Sequence, residues 1–106
     1  MGLGWPEWQP LDQLVAPNSP GVYRIAEGNR VIYFGESFGL RVRLKAHARN
    51  DWDRPVATFC VFPPNKPKQH LDEIENDLIA GHYHSHGSPP AMQFRNTKVA
   101  RAHALT

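Results

Sequence analysis

Two runs rich in β-branched and aromatic residues, 21–26 and 31–35, flank the tetrapeptide Glu27-Gly28-Asn29-Arg30. A Gly-Asn pair between such runs is the chemistry of a tight reversal, so the chain is committed early to a β-hairpin. The period then changes. Leu40, Leu44 and Ala48 recur at helical spacing and nothing after Gly39 interrupts them, which predicts a helix over residues 38–49. Residues 55–62 read as a third, nearly all-apolar strand suited to the middle of a covered sheet, closed by Pro63-Pro64-Asn65-Lys66-Pro67. A second helix is expected from about Lys68 to at least Ile79, with Leu71, Ile74, Leu78 and Ile79 as its apolar stripe. The order β-β-α-β-α implies an α/β chain of α+β type: a small three-stranded antiparallel sheet flanked by helices.

A length of 106 residues suits one hydrophobic core. Residues 1–17 read as a lead-in, with a short helix over 11–15 before the turn Pro17-Asn18-Ser19-Pro20, and residues 18–106 as a single domain. Apolar and charged fractions of 41% and 21% exclude global disorder. The single cysteine, Cys60, excludes an intrachain disulfide and a Cys-based zinc site. It falls in an apolar strand, as a buried, inert thiol would. No signal peptide and no membrane-length apolar run is visible, so a cytoplasmic setting without membrane association is expected. A net charge of +2 does not by itself mark a nucleic-acid binder.

The helices carry polar residues where apolar ones belong. Arg43 and His47 are four apart and lie beside the stripe of Leu40 and Leu44. Glu75 falls between Leu71, Leu78 and Ile79 on the helical wheel. Burying an unpaired charge costs several kcal/mol, so these positions need partners or a wet cleft. One reading is a structural ion pair between Arg43 and Glu75, in a domain that is purely structural or binds another protein. The other is a cleft in which the arginine grips phosphate and the carboxylate holds a cation.

Gly21-Val22-Tyr23 and Tyr33-Phe34-Gly35 resemble the two tripeptides for which the GIY-YIG nuclease family is named, with Val22 and Phe34 as apolar-for-apolar departures. Arg43, Leu44 and His47 resemble that family's first helix in type and spacing. Residues 74–79 resemble the helix carrying its metal-binding glutamate. Asn96, after Pro89-Pro90, stands at a wider gap than the family's asparagine.

The resemblance implies a GIY-YIG-like fold and a metal-dependent endonuclease acting on nucleic acid, DNA in preference to RNA. Its site would comprise Tyr23, Tyr33, Arg43, His47, Glu75 and Asn96. Glu75 would hold Mg²⁺ or Mn²⁺, hard cations that bind through one carboxylate and keep several waters. Arg43 would stabilise transition-state charge. Tyr23 would take a proton from water and pass it to His47, and Tyr33 would orient water or phosphate. The alternative is a nucleic-acid-binding module on this scaffold with little turnover. Neither reading calls for a small-molecule cofactor.

Two features stand apart. His82, His84 and His86 alternate, and on an extended chain they would point one way, suiting zinc or nickel. The other reading is a polar loop or helix end favouring imidazolium. Arg41, Arg43, Lys45, Arg49 and Arg54 form a local excess of cations, either a solvated surface or a track for a phosphate backbone. Trp5, Trp8 and Trp52 are candidates for stacking on bases, the first two also for anchoring the lead-in.

Overall fold

A computed structural model of the chain describes residues 4–93. It is an α+β fold: a four-stranded antiparallel sheet with two helices. The elements are β1 (Gln9–Pro10), β2 (Gly21–Glu27), β3 (Arg30–Ser37), α1 (Leu40–Ala48), β4 (Pro55–Val61) and α2 (Lys68–His86). The sheet order is β1-β4-β2-β3. The expected three strands are therefore four. The lead-in supplies a two-residue edge strand that pairs Gln9 with Ala57 and Pro10 with Val56. Pro10 fits there because an edge strand can spare a donor. The expected helix over residues 11–15 is a turn closed by Gln13 N–H to the Pro10 carbonyl at 3.0 Å, and Leu11 and Ala16 join the core.

The hairpin forms as its turn chemistry demands. Glu27 pairs with Arg30, and Gly28 takes φ 59°, the positive φ at the first central position that a type II′ turn requires. A bulge follows. Ala26 faces Val31, but Ile25 faces Tyr33, so β3 carries one extra residue, Ile32. Side chains alternate along a strand, so this single insertion turns Tyr33 rather than Ile32 onto the face that carries Ile25 and Tyr23.

The helices lie on opposite faces of the sheet. Tyr23, Ile25 and Tyr33 belong to one core with Leu40 and Leu44 of α1, and with Trp52 and Ala57. The intervening residues Val22, Phe34 and Glu36 face α2: Phe34 meets His82 at 6.2 Å and Glu36 meets Lys68 at 2.9 Å. The helix α2 runs past the expected break at Gly81 to His86. One interior glycine costs only about 1 kcal/mol. The true stop is Gly87, left-handed at φ 77°, whose N–H caps the Tyr83 carbonyl at 2.7 Å.

Candidate functional site

The site starts with Gly35. It lies directly across from Tyr23, whose ring rides over it: a Cβ at position 35 would collide with the phenol carbon and hydroxyl. Only glycine lets Tyr23 reach across β3. Its hydroxyl lies 2.6 Å from His47 Nε2, and the Tyr33 ring stacks 6.1 Å away at 19°. The last turn of α1 presents His47 to both phenols. Its ring centroid is 5.3 Å from that of Tyr23 and 4.8 Å from that of Tyr33. Trp52 locks this turn, donating from its indole N–H to the His47 carbonyl at 2.6 Å. Buried and committed to that bond, Trp52 does not offer its face to a base, against one expectation from sequence.

Burial sets the protonation of this group. Desolvation, with the nearby Arg43 charge, drives His47 down to about 4, so the imidazole is neutral at pH 7. Desolvation also raises Tyr23 well above its ordinary value, and raises Tyr33. Both phenols feel two charges from different helices: Arg43 lowers each, and Glu75 raises each. Arg43 is exposed rather than turned into the core beside His47. Among the described residues no ion pair joins Arg43 to Glu75, so the structural pair that the helical wheel allowed does not form.

Glu75 stands on α2 at the outer edge of β3. Desolvation, then the charges of Glu36 and Asp72, push it up to about 7, opposed by a hydrogen bond from the Glu36 backbone N–H. Lys68 offsets part of that negative charge, lying 2.9 Å from Glu36 Oε1 and 3.3 Å from Asp72 Oδ1. Glu36 Oε2 is buried without a partner. On its outer side Glu75 borders a hollow of about 610 Å³, which Tyr83, His84 and Gln93 also line.

Tyr23, Tyr33 and His47 are thus in direct contact, and the charges of Arg43 and Glu75 act on both phenols from the two helices; Asn96 lies outside the described residues. The chain matches no family model, no curated protein and no solved structure.

Two participants escaped the sequence reading. Glu36 lies near the end of β3, ahead of both helices in sequence, with no periodic signal. Gln93 sits beyond the last periodic segment, yet its side-chain amide pairs with the free edge of β3 as a strand would. It accepts from Phe34 N–H at 2.8 Å and donates to the Phe34 carbonyl at 2.7 Å. The neighbouring Met92 N–H donates to the Ile32 carbonyl at 2.9 Å.

Proposed function

We propose that the chain is a GIY-YIG-type endonuclease, hydrolysing phosphodiester bonds in nucleic acid, DNA in preference to RNA, with Mg²⁺ or Mn²⁺. The observation that carries this reading is the stacked pair of Tyr23 and Tyr33, the first hydrogen-bonded to His47, with the Arg43 and Glu75 charges acting on both phenols. A structural ion pair would have brought those two charges to each other instead.

The residues fit a hard divalent cation. Burial, with the charges of Glu36 and Asp72, pushes Glu75 up to about 7, and a neighbouring carboxylate oxygen of Glu36 has no partner. Glu75 would hold the ion, with water filling most other positions. The chemistry supplied there would be that of a Lewis acid, polarising the phosphoryl group and stabilising the leaving oxygen. The remaining work falls to the chain's own side chains. Neutral His47 accepts the Tyr23 proton at Nε2, which leaves the phenol oxygen free to take a proton from the attacking water. Arg43, exposed and always charged, grips a phosphate oxygen and stabilises the charge that accumulates there. The Tyr33 hydroxyl orients the water or the phosphate. Arg41, Lys45, Arg49 and Arg54 are all exposed along α1 and the segment after it, as a track for the flanking backbone requires. No helix among the described residues is long and apolar enough to cross a membrane, and a reducing cytoplasmic setting suits the lone Cys60.

One observation favours the second reading, a binding module with little turnover. Burial raises the Tyr23 phenol well above its ordinary value, which opposes its service as a base.

The test uses supercoiled, branched and single-stranded DNA with Mg²⁺, Mn²⁺ or EDTA. Cleavage by the wild type should stop in EDTA. It should fall by about a thousandfold in Glu75→Ala, on the scale of losing a preorganised charge. Nicking that survives both Glu75→Ala and Arg43→Ala overturns the assignment. Salt-sensitive binding without cleavage selects the binding module.

A further inference from the structure

The C-terminal turns of α2 carry a second constellation with its own chemistry. His82 and His86 are four residues apart and therefore share a helix face; their rings stack with centroids 4.2 Å apart and planes 18° from parallel. Each ring is fixed through the same nitrogen. His82 Nδ1 lies 3.0 Å from the Ser88 carbonyl, and His86 Nδ1 lies 3.1 Å from the His82 carbonyl. A carbonyl oxygen only accepts, so each Nδ1 must carry a proton, and the tautomer this selects has its lone pair on Nε2. Phe34 packs edge-on against His82 and helps hold that ring.

Capping of the helix end explains part of this. His82 meets the Ser88 carbonyl just past the helix end, and His86 adds a second bond to a carbonyl one turn back. Capping accounts for the two Nδ1 atoms, and among the described residues no hydrogen bond engages either Nε2.

We infer that His82 and His86 together bind one transition-metal ion of the Zn²⁺, Ni²⁺ or Cu²⁺ class through their Nε2 atoms, with water in the remaining positions. The i,i+4 spacing is the one that lets two helical histidines hold zinc. A carbonyl on the other nitrogen is the outer-shell arrangement that fixes a metal-binding histidine in the right tautomer. With the planes 18° from parallel the two lone pairs do not yet converge, so metal binding requires both rings to tilt out of the stack. His84 points about 200° round the helix from His82 and takes no part, so the alternating triad of the sequence resolves into a pair. Among the described residues no third His, Cys, Asp or Glu joins it, which makes this an open, two-ligand site. Imidazole favours these ions over Mg²⁺, which keeps the site chemically distinct from the carboxylate at Glu75.

Titration calorimetry of the full chain with NiCl₂ and with ZnCl₂ near pH 7.5 tests this without reference to cleavage. One ion should bind per chain, with Cu²⁺ tighter than either by the usual affinity order. His82→Gln and His86→Gln should each weaken binding by at least about tenfold, the scale on which even outer-shell losses register. His84→Gln should leave it unchanged. Melting in EDTA checks that the variants fold. Nitrogen-15 imidazole spectra of the wild type provide a reading that needs no variant: added Zn²⁺ should shift Nε2 of His82 and His86 and spare their Nδ1. Absence of binding at millimolar metal, equal loss in His84→Gln, or movement of other histidines' signals instead overturns the proposal.

Discussion

On the α1 side of the sheet, Tyr23, Tyr33, His47 and Trp52 are almost inaccessible to water and hold one another by ring contacts and two short hydrogen bonds. On the α2 side, Leu71 is the one fully buried residue of a nineteen-residue helix, and Glu36, Lys68, Asp72 and Glu75 crowd charges along a half-wet edge. Desolvation acts on both sides with opposite sign. It pushes His47 down to about 4 and Glu75 up to about 7, because in each case it disfavours the charged form. The result is a neutral His47 at pH 7 and a Glu75 close to half charged. In the proposed nuclease the dry side is organised in advance, and a cation at Glu75 would complete the wet side.

The sharpest break of that contrast is Glu75→Ala. Its roughly thousandfold loss of cleavage should come with an unchanged or higher melting temperature, since a desolvated acid beside two others is removed. A marked loss of stability would show that Glu75 belongs to the structural side. Next is Gly35→Ala, which adds one methyl against the Tyr23 ring. Overpacking of this kind costs about 3 kcal/mol, readable as a shift in urea midpoint. Full stability would mean that the phenol is not pinned over β3.

Tyr23→Phe separates packing from proton transfer. It keeps the ring, removes the hydroxyl that meets His47, and should lower cleavage about a hundredfold while costing roughly 1–2 kcal/mol. Equal activity in the phenylalanine variant would remove Tyr23 from the chemistry.

The smallest effect is in pH. His47 binds its proton less readily folded than unfolded, so its contribution is complete above about pH 6.5 and drains away as pH falls toward 4, roughly 2–3 kcal/mol in all. Glu75 is shifted the other way: the folded state retains its proton more readily, so stability declines as pH rises from about 4.5 through 7. The two slopes oppose each other across the shared window. Glu75→Gln should therefore steepen the loss of stability on acidification, measured by urea titrations from pH 7 to pH 4.

The same two sides differ in how far sequence discloses them. The hairpin, α1 and β4 follow from period and turn chemistry, and the two tyrosines, Arg43 and Glu75 stand out as polar or aromatic groups at marked positions. The bulge is invisible. One extra residue among Val31, Ile32 and Tyr33 changes no composition, yet it decides which side chain faces His47. Two-residue β1 is shorter than any pattern can register, and it forms because β4 offers it an edge. The last turn and a half of α2 was hidden by Gly81, whose modest local cost is outweighed by the helix on either side of it. Glu36 and Gln93 act through backbone and edge geometry, for which a linear chain has no periodic mark.

Among the described residues, Gln93 closes the flank of β3 that no strand covers. Without its amide and the Met92 N–H beside it, Ile32 and Phe34 would turn a ready-made template toward any passing chain. Among the described residues that edge is guarded by the Gln93 side chain and the Met92 N–H, and Gln93→Ala should make solubility fall as concentration rises.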